Sequence, residues 1–163
     1  MEVLNIVKVG IADMNIVKSP DVIRTTGLGS CVGVVLYDEV TATAGLLHIL
    51  LPDSSAGRQS VLNPAKYGDT GVYALLELLK QEGVSPWRIK AKIAGGAQMF
   101  KVGPGDTMRI GPRNVESVKN ELKRLSIPLI AEDTGGSNGR TIEFNPATGM
   151  LRIRTVNAGI TEI

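Results

Sequence analysis

The 163-residue sequence predicts one α+β domain over residues 1–163, and three observations carry that expectation. Short strand-like segments outnumber helical ones, only two stretches keep a helical apolar period, and 19 glycines against 4% aromatic residues mark many tight turns. A chain of this length buries a real core without disulfides or metal, and with so few aromatics that core is built mostly of Val, Ile and Leu. The formal net charge is +2, with Lys and Arg dispersed among carboxylates, so a nucleic-acid partner is not implied. Glu2, Lys8 and Asp13 interrupt the N-terminal apolar positions as no signal peptide does, and no apolar run approaches the ~20 residues of a membrane helix. The cytoplasm is the expected compartment, without stable membrane insertion.

Residues Leu4–Val9 and Ile11–Val17 read as strands, and Ser19, Pro20 and Asp21 as a turn leading into a glycine-rich loop, Thr25–Cys31. Cys31–Tyr37 and Gly45–Leu51 read as the two strands of a hairpin. A turn centred between Glu39 and Val40 would set Cys31 directly across from His48, whereas a one-residue slip would send the two side chains to opposite faces. Ser54–Lys66 is polar, lacks a hydrophobic period and reads as a loop. Asp69 suits an N-cap, Val72, Leu75, Leu76 and Leu79 form one stripe, and Gly83 suits the C′ position, so a helix is expected between them. Arg88–Ala94 alternates basic with apolar residues, like a strand with one wet face, until Gly95 and Gly96 break it. Pro112 at N1 and the stripe Val115, Val118, Leu122 and Leu125 mark a second helix. Leu129–Glu132 reads as a short strand. Arg140–Asn145 and Met150–Thr155 read as a closing hairpin with Ile142, Phe144, Leu151 and Ile153 inward.

The chain has one cysteine, Cys31, and one histidine, His48. That pair cannot form an internal disulfide or supply the four ligands of a structural zinc site, and no cofactor or metal is expected. It can form a nucleophile and its base: a thiol attacks well only after losing its proton, and imidazole is the side chain suited to take it. The loop around Gly27, Gly29 and Ser30 can present backbone N–H groups to a developing oxyanion. A lone cysteine is more often a small core hydrophobe, and a histidine on an apolar strand is more often a satisfied interior residue; each strengthens the functional reading of the other. Gly27, Leu28, Gly29 fails as a dinucleotide fingerprint, because Val32 stands where the third glycine belongs. Asp69-Thr70-Gly71 and Asp133-Thr134-Gly135 both spell an aspartic-protease motif, but capping and turn formation explain them more simply.

Several segments together resemble the CheD family of chemoreceptor glutamine deamidases: Thr25–Val32, His48 with Leu51–Ser54, Lys66 and Tyr67 with Asp69 and Thr70, Lys92–Phe100, Ile110–Val115 and Ala131–Gly136. The resemblance implies a cysteine hydrolase that converts receptor glutamines to glutamates, with receptor methylesterase activity in some relatives. It carries a Cys, His and Thr triad over to Cys31, His48 and Thr25, with Thr26 the neighbour most easily confused for the last. It also implies a three-layer α/β/β sandwich akin to the catalytic domain of cytotoxic necrotizing factors, receptor cytoplasmic helices as substrate, and CheC as a regulatory partner. Such a helix would be met near Gly95, Gly96 and Phe100. The competing classes are a module that only binds CheC and receptors, with Cys31 buried, and a redox sensor with an exposed thiolate.

Overall fold

The computed structural model describes residues 4–56, 63–98 and 109–163, and these form two five-stranded sheets and two helices. The strands are β1 (Ile6–Val9), β2 (Asp13–Lys18), β3 (Val22–Leu28), β4 (Val32–Asp38), β5 (Thr43–Ile49), β6 (Lys90–Gly95), β7 (Leu129–Thr134), β8 (Arg140–Asn145), β9 (Met150–Thr155) and β10 (Gly159–Glu162). Helix α1 (Gly68–Gln81) precedes β6, and α2 (Ile110–Arg124) precedes β7. One sheet has the order β2-β5-β4-β6-β7 and the other β1-β3-β8-β9-β10. Both are mixed, with parallel pairs β6/β7 and β1/β3 among antiparallel neighbours. The α+β expectation therefore holds.

Two cores define three layers. Val34, Leu36, Leu47 and Ile49 of the middle sheet pack with Val72, Leu75, Leu79, Val118 and Leu122 of the helices. On the opposite face, Cys31, Val35, Tyr37, Ala44 and Leu46 pack with Ile23, Leu28, Ile142, Phe144 and Ile153 of the outer sheet. Strands β4 and β5 are buried along their whole lengths, because one face meets helices and the other meets a second sheet. The expected closing hairpin is β8/β9, with Ile142, Phe144, Leu151 and Ile153 fully buried.

Several local expectations give way to tertiary context. Thr25 and Gly27 belong to strand β3 rather than to a turn: Val22, Ile23 and Thr25 pair with β1, and Gly27, at φ 74°, sits in a bulge between Thr25 and Leu28. The β4/β5 turn is four residues long, with Ala42 left-handed at φ 48° and the Asp38 carboxylate accepting from Val40 N–H and Thr41 Oγ1. That shifts the register by two, so His48 pairs with Gly33 rather than Cys31. An even shift preserves the face, and Cys31 and His48 remain on the same side. Helix α1 starts two residues early, with Tyr67 rather than Asp69 at the N-cap and no side-chain cap, and the Asp69 carboxylate instead accepts from Ser54. Gly83 does take the C′ position at φ 89°. Pro112 lies in the first turn of α2 but not at N1, since the helix begins at Ile110.

The expected wet face of β6 is wet only at its start, where Lys90 stays partly exposed beside Glu39. Lys92 is buried because the outer sheet covers that face, and its Nζ donates to the carbonyls of Gly149 (2.6 Å) and Ile163 (2.9 Å). Phe100 lies outside the described residues, as does part of the Ser54–Lys66 segment, whose described ends form short 3-10 turns at Ser54–Ala56 and Pro64–Lys66.

Gly33 permits the close approach of the two sheets beside His48: a Cβ there would stand 2.5 Å from Ile142 Cδ1 and 3.3 Å from Leu28 Cδ1. Gly33→Ala should therefore destabilise the protein by about 1–3 kcal/mol through overpacking, read as a lower urea midpoint with an unchanged slope. An unchanged midpoint would mean that the sheets part here without cost.

Candidate active site

Cys31, one residue before β4, and His48 on the adjacent strand β5 face the layer between the sheets. Cys31 lies two residues before Gly33, the partner of His48, so the two side chains form a diagonal pair. Diagonal Cβ atoms of a regular ladder are about 7 Å apart, and His48 Nε2 makes no hydrogen bond to Cys31 Sγ. Gly33 places no side chain between them. Cys31 keeps only 6% of its surface exposed, and His48 keeps none.

Thr25 approaches from the outer sheet. Its Oγ1 lies 2.7 Å from His48 Nδ1 and 2.7 Å from the carbonyl oxygen of Val9. A carbonyl only accepts, so the Thr25 hydroxyl must donate to Val9 and accept from Nδ1–H. This relay fixes the imidazole tautomer: Nδ1 carries the proton and Nε2 keeps its lone pair. Nε2 is buried and has no hydrogen-bond partner among the described residues. Thr26, the next residue, points the other way and lies exposed on the outer face beside Arg24 and Arg154.

Burial sets the charge state of the pair. It pushes the Cys31 thiol up, only partly offset by the residue's own backbone N–H. It pulls His48 down to about 4. At neutral pH the resting pair is therefore thiol and neutral imidazole, not thiolate and imidazolium.

The Cys31 loop is held by backbone contacts. Gly29 N–H is committed to Gly27 O (3.1 Å), whereas the N–H groups of Ser30 and Cys31 have no backbone acceptor among the described residues. Gly96 N–H donates to Cys31 O (2.8 Å) and Ala97 N–H to Gly29 O (2.9 Å). Gly95 and Gly96 are buried and positive in φ, and a Cβ on Gly95 would collide with Cys31 O. They support the Cys31 loop from behind. Arg140 braces the same corner, with Nη2 donating to Asp133 Oδ1 (3.1 Å) and Gly135 O (3.0 Å).

Three contributors to this site escaped sequence reasoning. The Val9 carbonyl has no sequence signature. Arg140 had only its place at the start of a strand. Asn114 is fully buried on α2 and touches the carbonyls of both Ser30 and Leu50; its signal was a polar residue four before Val118, in line with the apolar stripe.

Comparisons with known proteins identify the family. A family model described as CheD chemotactic sensory transduction matches residues 50–155, a span that starts just after His48. The relatives extend the likeness across the site. The chain is 59% identical over 160 residues to the chemoreceptor glutamine deamidase CheD of Halalkalibacterium halodurans, covering 98% of this chain and 99% of that one. It is 57% identical over 165 residues to a probable chemoreceptor glutamine deamidase CheD of Geobacillus kaustophilus, covering all of both chains. The Bacillus subtilis chemoreceptor glutamine deamidase CheD is 54% identical over 155 residues, covering 94% of this chain and 93% of that one. With a family model over most of its length and close relatives over nearly all of it, the chain belongs to the CheD family.

Proposed function

We propose that this chain is a cysteine amidohydrolase that deamidates glutamine side chains of chemoreceptors, releasing ammonia and leaving glutamate. The observation that carries this reading is the relay from His48 Nδ1 through Thr25 to Val9, which leaves Nε2 as an unpartnered buried base on the face that bears Cys31. The names of the relatives supply the substrate, glutamine in a chemoreceptor.

The chemistry follows from the neutral resting pair. As Cys31 Sγ attacks the glutamine Cδ carbonyl, its proton passes to His48 Nε2, and the oxyanion is met by N–H groups of the Ser30 and Cys31 loop. Imidazolium returns the proton to the departing nitrogen, so the C–N bond breaks and ammonia leaves a thioester on Cys31. Water, deprotonated by the same Nε2, then attacks the thioester; the C–S bond breaks and glutamate and thiol are restored. A glutamyl methyl ester would enter the same thioester with methanol as leaving group, giving a methylesterase activity on receptors. Nδ1–H donates to Thr25 in both charge states, so the ring need not turn during the cycle. The buried thiol calls for a substrate presented at a narrow slot, as a receptor helix with small flanking residues would do. CheC, in this reading, regulates by competing for that slot.

The test is mass spectrometry of a receptor cytoplasmic fragment incubated with the protein, where target glutamines should gain about one mass unit as amide becomes acid. Cys31→Ala should abolish the gain. Ammonia release by pure Cys31→Ala protein would sink the thiol mechanism.

His48→Ala should slow turnover by about 10²- to 10⁴-fold, the range of general acid–base catalysis. Thr25→Ala should cost about tenfold, the rate equivalent of one hydrogen bond, while Thr26→Ala on the outer face leaves kcat unchanged. Equal defects at the two threonines would move the orienting role off Thr25.

The low pKa of His48 also makes a stability prediction. Unfolded histidine titrates near 6.5 and the folded residue at about 4, so between these values the unfolded chain binds the extra proton. Stability is then intact above pH ~6.5 and lost as pH falls toward 4. From pH 7 to pH 5 the wild type should lose about 2 kcal/mol more than His48→Gln does, measured by urea unfolding at the two pH values. Parallel pH profiles would place the imidazole in contact with water.

A further inference from the structure

Asn114 lies one turn into α2, fully buried, and its carboxamide joins the two halves of the site. Nδ2 donates to Ser30 O at 2.8 Å and to Leu50 O at 3.1 Å. Ser30 immediately precedes the nucleophile, and Leu50 follows the base by two residues. The β4/β5 ladder ends at the pair Val32↔Ile49, so these carbonyls belong to the two chains just where they leave each other. Helix α2 is seated for this contact by Gly111, whose missing Cβ would collide with the carbonyl oxygens of Gly96 and Ala97. Three residues further along the helix, Ser117 Oγ donates to Pro52 O at 2.7 Å, outside the Cys31 loop.

The two donated bonds settle which end of the amide is which, and they leave Asn114 Oδ1 buried with no partner among the described residues. An apolar side chain of the same size would avoid that orphaned acceptor. The compensating benefit lies in the peptide plane it holds. Ser30 C=O and Cys31 N–H share one trans peptide and point in opposite directions. Drawing the carbonyl toward α2 aims the N–H away from the helix layer, to the side on which the Cys31 side chain lies. A hydrogen bond to the carbonyl also polarises the peptide and strengthens its N–H as a donor.

We propose that Asn114 is a positioning residue for the oxyanion: it fixes and polarises the Ser30–Cys31 peptide so that Cys31 N–H meets the tetrahedral intermediate. This inference rests on the acyl-transfer reading above and deepens it. It separates two reactions of the same thiol. Amide hydrolysis passes through an oxyanion at that N–H, whereas alkylation by iodoacetamide is a displacement at carbon with no such oxyanion.

The experiment compares wild-type, Asn114→Leu and Ser117→Ala proteins for deamidation of a receptor cytoplasmic fragment and for iodoacetamide alkylation of Cys31. Losing one oxyanion donor outright costs about 10²- to 10³-fold in kcat; misdirecting it should cost Asn114→Leu about 10- to 100-fold, with KM and alkylation rate within about twofold of wild type. Ser117→Ala should keep wild-type kcat, since its bond lies outside the loop. Should Asn114→Leu fail to give the wild-type circular dichroism, Asn114→Ser, with room for a water in place of the lost amide, is expected to show the same split at smaller size. Alkylation that falls in step with kcat would overturn the proposal in favour of a general loosening of the Cys31–His48 pair. A raised KM with kcat intact, or no change at all, would overturn it as well. Ammonia release by Cys31→Ala protein would instead remove the acyl-transfer reading on which the proposal stands.

Discussion

The contact on which the rest of the site depends is the hydrogen bond between His48 Nδ1 and Thr25 Oγ1, because it spans two sheets and is only one member of a chain of bonds ending at Val9. A buried imidazole has two nitrogens to satisfy, and a hydroxyl already committed to a carbonyl can accept only from the protonated one. The main-chain oxygen of β1 thus decides which tautomer the side chain on β5 adopts. For that to work, the sheets must approach closely at this point and nowhere slide relative to one another. Gly33 supplies the approach, and Ile142, Phe144 and Ile153 against Val35 and Leu46 supply the fixed packing around it.

The helix layer contributes to the same end from the other side. Irregular chain leaving a sheet carries carbonyls that the ladder no longer pairs, and each must find a donor. Here the donors are side chains reaching from elsewhere: Asn114 for Ser30 and Leu50, Ser117 for Pro52, Arg140 for Gly135 and Lys92 for Gly149. Four of these acceptors cluster at the end of the middle sheet where Cys31 sits. Of these bonds, the one from Asn114 to Ser30 O holds the Cys31 loop with a fixed side chain rather than water, so that loop is rigid without regular secondary structure, while the Ser117 bond to Pro52 O lies outside it. Such rigidity is what a site needs if it is to hold donors in place before charge develops.

What could be read in the sequence was whatever a local pattern dictates. The apolar stripes of both helices, the inward residues of the β8/β9 hairpin and the glycines that end β6 follow from period and turn chemistry, and they stand in the structure as expected. The pairing of Cys31 with His48 on one face was also legible, although the register was off by two, because the face depends only on parity. Hidden were the features decided by a third layer. Lys92 looks like a solvent residue until the outer sheet covers it, and Thr25 looks like a loop residue until β1 pairs with β3. Asn114 looks like a polar flaw in a stripe until Ser30 and Leu50 arrive from 84 and 64 residues away.

The charge state of the pair bears on which class of function the site serves. A redox sensor needs an exposed thiolate, and Cys31 is buried with its thiol pushed above the ordinary range. A module that only bound partners would gain nothing from His48, whose Nε2 is an orphaned acceptor costing about 1–3 kcal/mol against an apolar residue of similar volume. Catalysis explains both costs at once. A neutral thiol resists adventitious oxidation while the site is empty, and a base held unpaired is ready to accept its proton as soon as a carbonyl enters. In the proposed mechanism the ion pair forms only as the thiol attacks, when the new negative charge is passing to an oxygen that backbone N–H groups can hold. Separating charge in this buried layer is unfavourable before the substrate arrives, and the substrate's own carbonyl is what makes it favourable.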